Sequence, residues 1–238
     1  MRLDLLAIAP HPDDVELTSG GTMIKMARAG YRTGILDLTR GETGTRGTPE
    51  TRVKEAARAA ETMGVKIRRN LGLPDAHLEN SKPYKMAVAE AIREFEPHTV
   101  ILPYWEGRHP DHYTAARMCY EACFVAGLKN YSLPGLPFRP FKIIYAAAYA
   151  DVRPTFAVDI TDEYERRRKA ILAYASQFRP PKKERKSRVA LPLDELEDRM
   201  SSIARHYGRM IGVKYAEGFV VKETMQVNDV VGMPVRSI

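Results

Sequence analysis

Apolar positions along the chain fall into short blocks separated by polar or helix-forming stretches. Leu3 to Ala9 is apolar apart from Asp4 and predicts a first β-strand. Pro10 and Pro12 end it, because proline donates nothing to a strand ladder. Leu17 to Gly20 reads as a turn, with Gly20-Gly21 letting a helix start close by, and Thr22 to Ala29 has helical spacing stopped by Gly30. Tyr31 to Leu38 is a second strand. Strand, loop, helix and strand make a βαβ unit, so the two strands are expected to be parallel.

The pattern continues in the same style. A loop rich in Gly, Thr and Arg spans Thr39 to Arg52 and belongs at the carboxyl end of the second strand, beside the loop that carries His11. Thr48 can cap the next helix with Pro49 at its first position. That helix carries Ala56, Ala59, Ala60 and Met63 on one face and stops at Gly64. Val65 to Leu71 predicts a third strand followed by a Leu73-Pro74-Asp75 loop. Lys85 to Glu94 predicts a helix, Thr99 to Pro103 a buried strand, and Ala115 to Val125 another helix. Phe141 to Ala148 and Phe156 to Ile160 read as later strands, Asp162 to Ala175 and Asp194 to Tyr207 as helices. Tyr215 to Val221 reads as an edge strand or extended tail. The alternation predicts an α/β fold with a mainly parallel sheet and helices on both faces, in a single domain over residues 1–238.

Two of the predicted strands end in the same chemistry. The first runs into His11-Pro12-Asp13-Asp14-Val15-Glu16, and the Thr99 strand into Arg108-His109-Pro110-Asp111-His112. The carboxyl ends of strands are where an open α/β sheet places its ligands. Imidazole and carboxylate suit zinc, and three protein ligands with one open position make a catalytic site. Of two adjacent carboxylates, one can bind metal while its neighbour takes a proton. The second histidine pair offers a ligand and a general acid, with Asp111 placed to keep an imidazole cationic and oriented. A lone His-Pro-Asp is an ordinary turn, but two such elements hold half of the chain's six histidines. Glu16 reads as a supporting partner or a cap. Arg52 reads as a substrate contact or as the partner of Glu50 or Glu55. The same residue set also accepts iron, cobalt or manganese.

His11-Pro12-Asp13-Asp14-Val15-Glu16 together with His109-Pro110-Asp111-His112 resembles the PIG-L/LmbE-like zinc N-deacetylases. The Gly41-Glu42-x-Gly44-Thr45-Arg46-Gly47-Thr48 loop and the tail Ile211-Gly212-Val213-Lys214-Tyr215-Ala216-Glu217-x-Phe219 look like the branch acting on N-acetylglucosaminyl malate in bacillithiol synthesis. The branch more often has Gly at position 216. The resemblance implies a Rossmann-like fold, zinc on His11, Asp14 and His112, and Asp13 as general base. It implies His109 as acid or oxyanion stabiliser tuned by Asp111, and Arg52, Arg108 and Arg139 on the substrate. It also implies a homo-oligomer, often a hexamer.

Composition narrows the alternatives. The 238 residues carry a net charge of +7, concentrated in Arg166 to Lys169 and Lys182 to Arg188. No nucleic-acid motif or aromatic interleaving accompanies these runs, so a small anion is a better reading than nucleic acid, and the resemblance implies that this anion is a sugar conjugate. A basic binding module without catalysis is the rival class. No run reaches the roughly 20 apolar residues of a membrane helix, and the start lacks a signal-peptide pattern. A cytoplasmic protein without membrane association is therefore expected. Cys119 and Cys123, four apart in a helical pattern, read as small buried hydrophobes.

Overall fold

The computed structural model describes residues 2–178 and 193–235. Its centre is a seven-stranded sheet of β1 (Leu5–Ala9), β2 (Thr33–Thr39), β3 (Ile67–Leu73), β4 (Thr99–Pro103), β5 (Lys142–Ala146), β6 (Phe156–Asp159) and β7 (Ala216–Val220), in the order β3-β2-β1-β4-β5-β7-β6. The first five strands are mutually parallel, and β7 runs antiparallel to β5 and β6. The helices are α1 (Asp14–Arg28), α2 (Pro49–Met63), α3 (Lys82–Phe95), α4 (Pro110–Ala126), α5 (Tyr164–Leu172), the short α6 (Ala175–Phe178) and α7 (Leu193–Ile211). Among the described residues no helix is long and apolar enough to cross a membrane.

Helices cover both faces of the sheet, so its central strands are apolar on both sides. In β1 every residue is buried: Leu6 and Ile8 face α3 and α4, while Leu5, Ala7 and Ala9 face α1, α2 and α5. Ala56, Ala59 and Met63 of α2 pack on the second side, as their spacing predicts. Cys119 and Cys123 are buried in the first, and burial pushes the Cys123 thiol up to about 12. The β1–α1–β2 and β4–α4–β5 connections leave the sheet from adjacent strands in opposite directions. The carboxyl ends of β1 and β4 therefore flank the switch point where such sheets bind ligands.

Four expectations need correction. Leu17 to Gly20 is not a turn, because α1 already starts at Asp14 and runs through both glycines. Their role is packing: a Cβ on Gly21 would lie 2.7 Å from the Ile160 side chain. A buried ion pair also needs this stretch of backbone. Arg167 donates to the carbonyls of Glu16 and Leu17, Glu217 accepts from the amides of Gly21 and Thr22, and the two side chains meet at 3.1 Å. Helix α4 begins at Pro110, inside the second histidine motif. The helix expected from Asp162 to Ala175 ends at Leu172, and Tyr174 turns inward so that its hydroxyl donates to Glu16 at 3.0 Å. Finally, the Tyr215 segment supplies β7, an inner strand whose five residues are all buried. The basic run Lys182 to Arg188 lies outside the described residues.

Candidate metal centre and active site

The two histidine motifs meet where β1 and β4 end. His11 follows β1 and sends its ring nitrogens in opposite directions. Nδ1 lies 3.1 Å from Asp14 Oδ2, while Nε2 lies 3.0 Å from Asp75 Oδ1 and 3.2 Å from Asp111 Oδ2. A proton on Nε2 satisfies both carboxylates, so Nδ1 is the nitrogen that could face a cation beside Asp14. His112, in the first turn of α4, brings Nε2 to 3.3 Å from the same Asp14 oxygen. His11, Asp14 and His112 each offer one donor atom, all within 4.8 Å of one another.

A second grouping, His11 with His109 and Asp111, meets the same spacing, but its carboxylate is already engaged by backbone amides. The Asp111 carboxylate accepts from the amides of Ala76, at 2.9 Å, and Leu78, at 3.4 Å. His109 caps α4, its Nδ1 accepting from the Asp111 amide at 3.2 Å. The donor set that fits a cation is therefore two imidazole nitrogens and one carboxylate. This is the residue chemistry of a three-ligand zinc site, with carboxylates orienting the histidine from behind. Burial works against a charge on His11, yet its hydrogen bonds to Asp111, Asp14 and Asp75 outweigh that and push it up to about 12. Asp14 is held well below the usual carboxylate range by His112 and His11, which overcome its burial. So much negative charge around one imidazole marks a place built for a cation.

Asp13 sits differently from its neighbour. Its φ of 107° lies in the left-handed region, which costs a non-glycine residue of order 1–3 kcal/mol and persists only where the surroundings impose it. It occupies the N-cap position of α1, yet its side chain makes no cap hydrogen bond. Its Oδ2 accepts from Arg52 Nη2 at 3.0 Å. Burial, with help from the charges of Asp14 and Glu16, outweighs Arg52 and His11 and raises Asp13 to about 7. Glu16 lies beneath, fully buried, held by Arg68 at 2.6 Å and by the Tyr174 hydroxyl; Arg68 in turn takes Asp37 with two nitrogens at 2.7 and 2.8 Å.

Several placements differ from the sequence reading. Asp111 does not pair with His109: its carboxylate is turned to His11 and its backbone amide is what touches His109. With an N–H donor on Nδ1, the His109 proton sits on Nε2. Burial and the nearby His11 and His112 lower its pKa. Arg52 reaches neither Glu50 nor Glu55, and only 6% of its side chain is exposed. Glu55 instead binds Ser176. Arg139 precedes β5 and packs over the Phe124 ring, at the opposite end of the sheet from His11. Arg108 is exposed beside His109, in the wall of the cleft.

The sequence reading places Asp75 only in a loop. In the structure its carboxylate is anchored by the amide and hydroxyl of Thr43, and its amide by Glu42, so the glycine-rich loop after β2 braces it. The signal is present in the sequence: Leu73-Pro74-Asp75 repeats the strand–proline–carboxylate pattern of the two histidine motifs. Tyr149, in the loop after β5, faces His112 with 5.9 Å between ring centroids. Asp14, His109 and His112 open into a cleft of about 590 Å³, walled by Tyr104, Arg108, Tyr149, Met200 and Ile203.

An open α/β sheet with two histidines and a carboxylate converging at its switch point has the residue chemistry of a metal centre. Comparison with known proteins then gives the family. Residues 6–123 match the model of the PIG-L family, described as GlcNAc-PI de-N-acetylase. The chain is 33% identical over 230 residues to the diacetylchitobiose deacetylase of Thermococcus kodakarensis, covering 90% of this chain and 81% of that one. It is 27% identical over 194 residues to a probable N-acetyl-alpha-D-glucosaminyl L-malate deacetylase 2 of Bacillus anthracis, covering 73% and 81%. The crystal structure of a conserved protein of Thermus thermophilus superposes with a TM-score of 0.85 at 39% identity, covering 95% and 98%. The chain belongs to the PIG-L/LmbE-like deacetylases, a metal-dependent family, and is itself a deacetylase.

Proposed function

We propose that the protein is a zinc-dependent hydrolase that removes the acetyl group from an N-acetylglucosamine unit. The observation that carries this is the convergence of His11 Nδ1, Asp14 Oδ2 and His112 Nε2 beside an Asp13 carboxylate that caps nothing. His11, Asp14 and His112 would hold the metal. Bound zinc supplies Lewis acidity toward the acetamide carbonyl and lowers the pKa of water at the site. Asp13 takes the proton of the attacking water. The Nε2–H of His109 donates to the carbonyl oxygen as it gains charge, the task of an oxyanion-hole group. Asp13 then returns its proton to the sugar nitrogen as the C–N bond breaks, and acetate and a free amine leave.

A second reading, that the conjugate is anionic as in N-acetylglucosaminyl malate, is favoured by Arg108. This guanidinium is exposed in the cleft wall. A hydrogen bond from it to a carboxylate contributes about 1.5–3 kcal/mol, or roughly a factor of ten or more in specificity. The test is acetate release from diacetylchitobiose, free N-acetylglucosamine and N-acetylglucosaminyl malate, with and without Arg108→Ala. The anionic reading predicts a preference for malate that the variant removes, while hydrolysis of the neutral sugars is unchanged. Equal specificity constants for malate and neutral substrates contradict it, and no release from any N-acetylglucosaminide contradicts the broader reading.

A further inference from the structure

We propose that Lys222 is a positioning residue for the loop after β4: its ammonium, held against three aromatic rings, clamps Trp105 and with it the segment that carries Tyr104, Arg108 and His109 to the cleft. The inference rests on the reading of that cleft as the place where the N-acetyl sugar is hydrolysed. Lys222 lies two residues past β7. Its Nζ is 4.4 Å from the centroid of the Trp105 ring, 4.9 Å from that of Tyr145 and 5.0 Å from that of Tyr120. A cation within about 6 Å of a ring centroid is attracted by the ring quadrupole, and tryptophan attracts it best. The three rings come from three different elements: the loop after β4, β5 and α4. Among the described residues the ammonium makes no ion pair with a carboxylate, so the rings are its partners.

From the ammonium the rings run in sequence toward the site. Tyr145, 1% exposed, is fixed in the core and meets Trp105 edge-on, at 4.8 Å and 90°. Trp105 lies against Tyr104 with 4.1 Å between ring centroids. Tyr104 walls the cleft together with Arg108, His109 and His112. Tyr104 and Trp105 are half-buried, whereas Glu106 to Pro110 are exposed. The loop is therefore held by packing at its first two residues and by the His109 cap at its end. Lys222, exposed itself, closes the first of these holds from outside. It arrives there because β7 runs antiparallel to β5, with Val220 opposite Tyr145.

The chain has a single tryptophan, so its fluorescence reports on this loop alone. The test compares the unmodified enzyme with Lys222→Met, which keeps an unbranched stem without the charge, with Lys222→Arg, which keeps the charge, and with Trp105→Leu alone and combined with Lys222→Met. Acetate release from diacetylchitobiose, metal content and melting temperature are measured for each, and acrylamide quenching for those that keep Trp105. Lys222→Met is expected to keep the metal content of the unmodified enzyme, to make Trp105 about twofold more open to acrylamide and to lose about fivefold in kcat/KM, the factor that corresponds to about 1 kcal/mol. Lys222→Arg is expected to restore both readouts. In the Trp105→Leu background, Lys222→Met is expected to change kcat/KM by less than about twofold, because the effects of coupled residues do not add. Unchanged quenching in Lys222→Met overturns the proposal, and so does the same loss of kcat/KM with and without Trp105. A lower melting temperature with quenching and kcat/KM both unchanged overturns it too. If Trp105→Leu fails to fold, quenching and rescue by arginine carry the test. If the unmodified protein releases no acetate, the reading of the cleft falls, whereas quenching still decides whether Lys222 holds the loop.

Discussion

His11 has no nitrogen left over. One side of its ring meets Asp14 and the other meets Asp75 and Asp111, so it is both a donor to the centre and the joint that fastens β1 to β3 and α4. Asp14 is shared by both histidines, and replacing any of the three removes a third of the donor set. His11→Ala, Asp14→Ala and His112→Ala are each expected to purify without stoichiometric metal and without activity. Asp13→Asn is expected to keep its metal and lose about 10²–10⁴-fold in kcat, the range of a lost general base. Metal analysis beside kcat separates the two groups, and full metal in all three alanine variants rejects the ligand set. Asp75→Asn should weaken metal binding about 10–100-fold, the usual effect of removing a carboxylate behind a ligating histidine; competition with a chelator measures it.

At the scale of elements, the strands and their proline-ended loops were legible because a strand buried on both faces is a continuous apolar run that proline must terminate. The two histidine motifs were legible for the same reason, since both sit at such breaks. The start of α1 was not, because Gly20-Gly21 ordinarily weakens a helix. Here the pair is demanded by Ile160 and by the Arg167–Glu217 pair, which come from far along the chain. The inner position of β7 was hidden likewise, since the order of strands depends on long-range pairing. That Asp111 bonds an imidazole was legible, but which one was not: the carboxylate turns to His11 across the sheet and not to His109. Gly21→Ala should overpack this junction and destabilise the fold by about 1–3 kcal/mol. Denaturant unfolding measures the change, and an unchanged midpoint would show that Ile160 simply moves aside.

For the molecule as a whole, the sheet order brings the ends of β1 and β4 together, and the flanking loops complete the cleft. Its chemistry therefore depends on residues spread over the first half of the chain, with α7 and the Tyr149 loop adding walls. The expected substrate arginines were the least legible part. Charge on the chain does not reveal where a guanidinium ends up: in the fold Arg52 donates to Asp13, and Arg139 lies at the far end of the sheet. The central claim is that one cation on His11, Asp14 and His112 makes this protein a deacetylase. Titrating the metal-free protein with zinc, and following bound zinc and acetate release from diacetylchitobiose together, tests it most directly. Acetate release is predicted to rise in proportion to bound zinc and to level off at about one ion per chain, the stoichiometry of a single three-ligand site. Release that is already maximal in metal-free protein, or that stays absent with one zinc bound, would contradict the account.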